Sequence, residues 1–293
     1  MTAWALFAPE LSLFGGALLF LALALVRTIR PRVIFLAALA AAALAIVVGL
    51  ASLRAEGMLF GQSYRIDLFS QVFKVLLTLS LFLVACICGD VRGVDRRRHA
   101  ELYLLIFTCT LAMMLLSSAV HLLSIYVALE LSSYSLYVLV SLRRTRELAV
   151  AAALKFFIVG IVSSAVMLFG LALLYGTTGA VYLDELARAL PRALDQPLAQ
   201  VGLLLTLCGF FFKLAVFPFH IWAPDTYQSA AHQVSAYIAT ASKIGAIAIL
   251  IRMVTVSGNS PYLVEVLVGL AVLSMTVGNL AAIAQKDLKR LFA

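Results

Sequence analysis

Long apolar runs alternate with short polar connections along most of the chain. A helix needs about 20 apolar residues to cross the hydrocarbon core of a bilayer, and nine runs have roughly that length. The predicted spans are 3–26, 31–53, 66–89, 101–118, 120–142, 148–175, 198–222, 227–254 and 261–284. The fourth and fifth spans come from one apolar stretch that is too long for a single crossing, so we place a tight turn near 117–119.

Composition narrows the class of protein further. Of the 293 residues, 64% are hydrophobic and 12% are charged, whereas soluble domains average roughly 45–50% apolar and about 25% charged residues. These values exclude a soluble domain, a disordered chain and a disulfide scaffold. The runs are apolar on all sides rather than alternating, which argues against a transmembrane β-barrel. We therefore predict an all-α polytopic membrane protein.

The net charge of +8 is distributed in short clusters between the apolar runs, which is typical of membrane topology rather than nucleic-acid binding. Most of these lysines and arginines follow odd-numbered spans. By the positive-inside rule, the N-terminus is expected outside and the C-terminus in the cytoplasm, in a bacterial inner membrane. The outside connection 177–196 contains an amphipathic stretch from Tyr182, which predicts either a short interfacial helix or a solvated loop.

Away from their ends, the fifth to eighth predicted spans contain one charged residue each: Glu130, Lys155, Lys213 and Lys243. A charge at the bilayer centre costs at least ~2.5–3.5 kcal/mol on insertion scales, so such residues usually line ion or proton paths. One per helix over four helices indicates function. The alternatives are a structural ion pair for Glu130 and snorkelling to the interface for Lys155. Snorkelling is also the expected behaviour of Lys74 in the third span.

Pro218 follows Lys213 by five residues and should kink or break the seventh span. Broken spanning helices are tolerated where the free backbone lines a polar cavity, so this pattern predicts an ion site. A carboxylate that approaches or leaves a lysine changes the affinity of that lysine for a proton. We hypothesise that Glu130 controls Lys213, and that Lys213 exchanges protons with Lys243.

Three further side chains are candidates for proton relay. Tyr134 shares a helical face with Glu130, and His220 and His232 flank the turn that follows Pro218. Histidine suits proton transfer near neutral pH. The alternative is that both histidines cap this turn or bind backbone carbonyls. That alternative is favoured for His232 and is as strong as the relay role for His220.

No cofactor-binding or metal site is predicted in this chain. Cys86, Cys88, Cys109 and Cys208 lie in apolar segments without Cys-x-x-Cys spacing, so we interpret them as small buried apolar residues. The sequence contains neither a glycine-rich phosphate loop nor a haem-type ligand pair. Any electron transfer would occur in another chain.

The stretches around these charges resemble the antiporter-like membrane subunits of respiratory complex I, a family related to multisubunit Na⁺/H⁺ antiporters and membrane-bound hydrogenases. The resemblance covers about 66–293 and runs through 127–137, 152–157, 174–179, 212–228, 241–243 and 279–290. Two details are most similar to the subunit N branch. They are Asp-x-Tyr-Gln at 225–228 and a lysine at 243, where other members usually carry histidine.

The resemblance implies a bundle of two inverted five-helix repeats, each with a broken helix. It divides this chain into a three-helix segment 1–100, a first repeat 101–255 with its break near Pro218, and the start of a second repeat at 256–293, so the chain looks truncated. It also assigns roles. Glu130 and Lys213 match a glutamate–lysine pair, Lys155 matches a lysine that tunes this pair, and Lys243 matches a central connecting lysine.

The function implied is proton translocation in an NADH-quinone oxidoreductase, a translocase of which this chain would be a membrane subunit. NADH, FMN, iron–sulfur clusters and quinone are expected in the whole complex and not in this chain. The expected partners are other membrane subunits, further antiporter-like subunits among them, with the lipid bilayer and, indirectly, the quinone pool; no nucleic acid is expected. The alternatives are a subunit of a cation/proton antiporter or of a membrane-bound hydrogenase, or a truncated scaffold that transports nothing.

Overall fold

The computed structural model describes residues 3–26, 29–89, 91, 93–143, 146–258 and 260–293. Within these residues the chain is almost entirely helical, with one short β-hairpin. Nine helical segments in the described ranges are long and apolar enough to cross a membrane. They follow the nine predicted spans in order, which confirms the all-α polytopic fold.

The elements alternate as long apolar helices and short connecting pieces. The N-terminal elements are α1 (Ala3–Leu6), α2 (Ala8–Leu25), α3 (Pro31–Ala51), β1 (Gly57–Leu59), β2 (Tyr64–Ile66) and α4 (Leu68–Ile87). The middle elements are α5 (His99–Ser118), α6 (Leu122–Ser141), α7 (Arg146–Thr178), α8 (Leu183–Ala193) and α9 (Pro197–Leu214). The last are α10 (Ala223–Ser229), α11 (His232–Ala239), α12 (Ala241–Val256), α13 (Pro261–Ile283) and α14 (Leu288–Leu291). The amphipathic stretch after Tyr182 forms the short helix α8, and the turn between α5 and α6 lies close to its predicted position.

Local sequence explains where several of these helices begin. Helices α3, α9 and α13 each start with proline at their first position, where the missing N–H has no helical partner to lose. Helix α4 starts with a capping box. The Asp67 carboxylate accepts a hydrogen bond from Ser70 N (2.8 Å), and Ser70 Oγ accepts one from Asp67 N (3.1 Å).

Connections that the topology prediction assigns to one side of the membrane do lie together. Val120 N donates to Ser63 O (3.1 Å), and Leu183 N donates to Val120 O (2.8 Å). Arg65 of the hairpin forms an ion pair with Asp184 of α8. We call this end, formed by 52–67, 119–121 and 179–196, the hairpin side. The spans therefore alternate in direction as predicted.

Helices α7 and α9 are in close backbone contact through glycine. A Cβ atom on Gly170 would lie 2.3 Å from Thr206 N, and one on Gly202 would lie 3.0 Å from Leu173 Cβ. Without a hydrophobic driving force between helices in lipid, small residues of this kind allow the backbones to approach and the helices to associate. This contact holds the first half of α9 beside α7.

Both the seventh and the eighth spans are interrupted. Helix α9 ends at Leu214 instead of at the predicted residue 222, because Ala215 adopts a left-handed conformation (φ +59°). The predicted break near Pro218 is present. The eighth span divides at Thr240 (φ −113°, ψ −77°), between α11 and α12. We did not predict this second break, because neither proline nor glycine marks it in the sequence.

Candidate functional site: buried charges at a broken helix

The last turn of α9 closes on itself where the helix breaks. Because Ala215 is left-handed, the N–H groups of Ala215 and Val216 point back along the helix. They donate to the carbonyl oxygens of Phe212 (3.1 Å) and Phe211 (2.9 Å), respectively. This is the Schellman arrangement, in which left-handed residues are usually glycine. It satisfies two of the carbonyl groups that a helix end leaves without partners.

Side chains supply donors to the end of α9 as well. In a continuous helix the Leu214 carbonyl would accept from residue 218, but Pro218 has no N–H. Lys243 Nζ takes that place and donates to Leu214 O at 2.8 Å. The indole Nε1 of Trp222 donates to Phe212 O at 3.1 Å. The central lysine of the sequence prediction is therefore a hydrogen-bond partner of the broken helix.

Lys213 lies in the last turn of α9 and is 2% exposed. Its Nζ donates to Ser132 Oγ (2.9 Å) and to Ser133 Oγ (3.0 Å), both on α6. The two serine hydroxyls donate their own protons to Leu129 O, at 2.6 and 3.0 Å. Their oxygen lone pairs are therefore free to accept from the ammonium group.

Glu130 lies on α6, is 7% exposed, and accepts a hydrogen bond from Ser164 Oγ of α7. Ser164 Oγ also lies 3.0 Å from Gly160 O. Among the described residues, no nitrogen of a basic side chain lies within 4.0 Å of this carboxylate. The predicted partners Glu130 and Lys213 are thus on adjacent parts of α6 and α9 without a direct ion pair. Ser133, three residues after Glu130 and on the same helical face, binds the lysine.

Lys155 lies apart from Glu130 and Lys213. Its Nζ lies 2.5 Å from Asp225 Oδ2, and Arg290 Nη2 lies 3.0 Å from Asp225 Oδ1. The side chains of this network are partly exposed, Lys155 by 40%. Exposed ion pairs contribute only about 0–1 kcal/mol to stability. Lys155 therefore joins α7 to α10 and α14 and makes no ion pair with Glu130.

The structure separates the three candidate relay residues. Tyr134 is 49% exposed and meets Tyr137 edge to face, with 6.1 Å between ring centroids. His232 is exposed at the first residue of α11. These two positions place Tyr134 on the outer surface of α6 and His232 at the start of α11.

His220 is in the segment that follows the break. Its ring stacks on Phe217 with 5.6 Å between centroids, and its buried Nδ1 has no hydrogen-bond partner among the described residues. It lines a cavity of about 170 Å³ together with Ser274, Gln285 and Arg290. A cavity of this size and polarity can hold water. Of the three candidates, His220 has the surroundings that a relay needs.

The Asp-x-Tyr-Gln motif has a structural explanation. Gln228 accepts from Arg290 Nη1 (3.0 Å) and donates to Asp287 Oδ2 (3.4 Å). The backbone N–H of Arg290, with that of Lys289, lowers the pKa of the Asp287 carboxyl. Lys289 Nζ donates to Ala230 O at 2.7 Å, while burial and the nearby Arg143 charge lower the pKa of Lys289 to about 8. The motif thus binds the segment around α14 to α10.

The sequence prediction for Lys74 is wrong. Lys74 does not snorkel: its side chain is 0% exposed, and its Nζ lies 2.7 Å from Glu10 Oε1, on a side chain that is also 0% exposed. We overlooked Glu10 because it lies near the start of the first span. Ser164 and Trp222 were overlooked too, since a serine or a tryptophan in an apolar run gives no signal that distinguishes it from its neighbours.

The described residues contain no group of three or more His, Cys, Asp or Glu side chains that could hold a metal ion. Cys88 and Cys109 are buried, Cys208 is partly buried and Cys86 is exposed. The interpretation as buried apolar residues therefore holds for Cys88 and Cys109, and it is wrong for Cys86.

Comparison of the sequence with known families gives a match to the family described as NADH:quinone oxidoreductase/Mrp antiporter, TM, over residues 119–293. The NADH-quinone oxidoreductase subunit N 2 of Syntrophobacter fumaroxidans is 57% identical over 291 residues, which are 99% of this chain and 62% of that protein. The chain thus spans less than two thirds of the length of this curated relative.

Chains of solved membrane complexes also resemble this chain. A chain of respiratory complex I from Thermus thermophilus with bound aureothin is 36% identical, with a TM-score of 0.82 over 97% of this chain and 60% of that chain. A chain of the Mrp complex from Dietzia sp. is 22% identical, with a TM-score of 0.84 over 99% of this chain and 56% of that chain. At this identity the Mrp likeness concerns the fold alone.

Proposed function

Because this chain belongs to the NADH:quinone oxidoreductase/Mrp antiporter family of membrane subunits, we propose that it is a proton-translocating subunit of an NADH-quinone oxidoreductase. Protons move along Glu130, Lys213 and Lys243, while oxidation and reduction take place in other chains. The observation that carries the proposal is the site of Lys213. This ammonium is 2% exposed, lies at a helix break, and has two hydroxyl oxygens as its hydrogen-bond acceptors.

The chemistry of the acceptors supports proton exchange at the two lysines. A buried ammonium in contact with a carboxylate keeps its proton, because the opposite charge favours the charged form. Burial among neutral oxygens instead disfavours the charged form. Lys213 binds hydroxyls and Lys243 binds the Leu214 carbonyl. Each lysine can therefore lose its proton without leaving a buried carboxylate unpaired. When the Glu130 carboxylate approaches Lys213, it favours the charged form, and when it withdraws, it favours release.

We assign the path to the repeat 101–255 and propose that protons enter from the end of the bundle that carries α10 and α14. His220, which lines the cavity of about 170 Å³ and whose buried Nδ1 has no partner among the described residues, is the relay on this route. The Lys155–Asp225–Arg290 network lies at the same end. In this proposal Lys155 tunes the Glu130–Lys213 pair through the position of α10 rather than by contact with Glu130.

The proposal places the chain in a bacterial inner membrane with the hairpin side outside, as the distribution of basic residues predicts. Its partners are the other membrane subunits of the complex, including further antiporter-like subunits. NADH, FMN, iron–sulfur clusters and quinone belong to the whole complex. The 57% identity to a protein named NADH-quinone oxidoreductase subunit N 2 supports this assignment over an antiporter subunit.

The test is Lys213→Met in the intact complex, reconstituted into liposomes. We expect NADH:quinone electron transfer to continue while fewer protons are translocated per NADH oxidised. Lys286→Met is the matched control, because this lysine is exposed beyond the last span, and its proton yield should equal that of the unmodified complex. An unchanged proton yield in an assembled Lys213→Met complex would exclude the role of this lysine.

The composition of the complex separates the two branches of the family. Gentle purification from native membranes, followed by mass spectrometry, should recover this chain with an assembly that oxidises NADH and reduces quinone. Recovery with antiporter subunits and no quinone reductase activity would contradict the assignment, and the proton path would then serve cation exchange.

A further inference from the structure

A second pair of buried charges lies apart from Glu130, Lys213 and Lys243 at the broken helix. Glu10 of α2 and Lys74 of α4 are both 0% exposed, with 2.7 Å between Lys74 Nζ and Glu10 Oε1. The Tyr64 hydroxyl of β2 donates to the same carboxylate oxygen at 2.5 Å, and Lys74 Nζ lies 5.1 Å from the centre of the Tyr64 ring. None of these three residues is part of the proposed path through Lys213 and Lys243.

The hydrogen bonds of this cluster are incomplete. Glu10 Oε2 is buried and has no hydrogen-bond partner among the described residues, and the same is true of both polar atoms of the Gln71 side chain. Gln71 is 0% exposed and lies one turn before Lys74 on the same face of α4. Buried ion pairs that serve only to hold helices together need all of their remaining polar groups satisfied, because each unsatisfied group costs free energy. Unsatisfied polar atoms beside a buried pair point to bound water or exchangeable protons instead.

The other charges near Lys74 balance one another. Asp67 and Arg252 are the further charged groups that interact with it. Arg252 Nη2 binds both carboxylate oxygens of Asp67, at 2.8 and 3.0 Å. Burial raises the pKa of Asp67, but hydrogen bonds from Arg252 and Ser70 and the Arg252 charge outweigh this, so the pKa lies below its ordinary value. Because these two charges form their own pair, Glu10 remains the direct counterion of Lys74.

The cluster connects to the hairpin side through Tyr64. Tyr64 and Ser63 line a groove of about 440 Å³ together with His121, Ser124 and mostly apolar side chains, among them Leu123 and Val127. Glu10 lies in the first turn of α2, and Lys74 lies in the second turn of α4, which starts at the hairpin. Along α12, nine residues separate Arg252 from Lys243, which corresponds to about 13 Å at 1.5 Å per residue. The two sets of buried charges are therefore distinct sites.

We propose that Glu10 and Lys74 form a second proton-binding site, which exchanges protons with the hairpin side through the Tyr64 hydroxyl. In the charged state the pair is a carboxylate and an ammonium. A proton arriving at Tyr64 Oη from the groove allows the phenol to pass its own proton to Glu10 Oε1, so the phenol is unchanged and Glu10 becomes a neutral carboxylic acid. Release follows the reverse path, and Gln71 and water bind whichever form is present.

Infrared difference spectroscopy of the full chain in lipid nanodiscs, recorded during a pH titration, tests this proposal. We expect a carboxylic acid C=O band that shifts in D₂O and is absent in Glu10→Gln. Glu56→Gln, at an exposed carboxylate, is the matched control and should retain the band. In Lys74→Met the band should appear at a proton concentration lower by roughly tenfold or more, because a cation in contact with a carboxylate favours its ionised form.

A purely structural ion pair would give a different result. If no band assigned to Glu10 appears over the pH range in which the chain stays folded, the carboxylate is permanently ionised and the proposal is wrong. If Glu10→Gln does not fold, Glu10→Asp retains the carboxylate and should shift the frequency of the band instead of removing it. An unshifted band in a folded Glu10→Asp protein would equally overturn the assignment.

Discussion

Substitution of Lys243 can separate the two roles proposed for its ammonium group, which are to support the end of α9 and to carry a proton. Its Nζ donates to Leu214 O at 2.8 Å, where Pro218 has no N–H to offer. Lys243→Met retains a long apolar side chain and removes both donor and charge. Lys243→Arg retains a donor and a positive charge, but a guanidinium group does not lose its proton in proteins. The two variants therefore differ in whether the break is capped, and neither can carry a proton.

The expected cost of Lys243→Met follows from the contact that it removes. A hydrogen bond to a charged group contributes about 1.5–3 kcal/mol, and relief from burying part of an ammonium group offsets some of this. We expect Lys243→Met to lower the free energy of unfolding by about 1–2 kcal/mol. Lys243→Arg should lose less than half as much, provided that the longer side chain reaches the same carbonyl.

Tryptophan fluorescence provides the stability assay. The chain has two tryptophans, and Trp222 donates to Phe212 O at the break, whereas Trp4 is 74% exposed. A Trp4→Phe background leaves Trp222 as the reporter of the broken helix during denaturation. Proton translocation is then measured for both variants in the reconstituted complex, and we expect it to be lost in both.

Each half of this reasoning has its own refutation. A Lys243→Met protein as stable as the parent would show that the lysine does not support the end of α9. A Lys243→Arg complex with full proton yield would show that no proton passes through this side chain. In that case its contact with Leu214 would be its whole role.

Three other substitutions test the packing and the ends of these helices. Gly170→Ala should destabilise the chain by roughly 1–3 kcal/mol, since its Cβ would lie 2.3 Å from a backbone nitrogen of α9; Gly176→Ala in the same helix has free space and should be neutral or stabilising in the same denaturation assay. Ala215→Gly should stabilise by about 0.5–1 kcal/mol, because glycine adopts φ +59° without the steric cost of a Cβ atom; an unchanged or lower midpoint would contradict this. Asp225→Asn removes the carboxylate shared by two cations and should speed amide hydrogen exchange in 284–293, with little effect on the core.

The spans could be predicted because their signal is local. A run of about 20 apolar residues can satisfy its backbone in lipid only as a helix, so length and composition decide the element without knowledge of its neighbours. Pro218 likewise indicates a break, because proline has no backbone N–H. The break at Thr240 has no such marker. It depends on contacts from other helices, among them the hydrogen bond of 3.2 Å between the hydroxyls of Ser80 and Thr240.

Partners of buried charges could not be predicted for the same reason. Lys74 and Lys155 look alike in the sequence, each near the edge of an apolar run. Lys74 is fully buried because it pairs with Glu10 of α2, which is 64 positions away in sequence. Lys155, in contrast, remains 40% exposed beside Asp225. The sequence identified the charged residues of the site, but the serines and carbonyl that bind the lysines belong to elements whose packing no local pattern specifies.

The broken helix and the two lysines are best understood as one device. A helix that ends inside the bundle presents the negative end of its dipole there, and a cation within the last turn is favoured by it. Lys213 lies in that last turn, and Lys243 binds its final carbonyl. A continuous α9 would provide neither the free carbonyl nor the field. Two cations can therefore share this region of the bundle, because the break supplies partial negative charge that does not itself take up a proton. In the proposed path, such charge stabilises a proton on a lysine without removing it by proton transfer, so the proton can still move on to the next lysine.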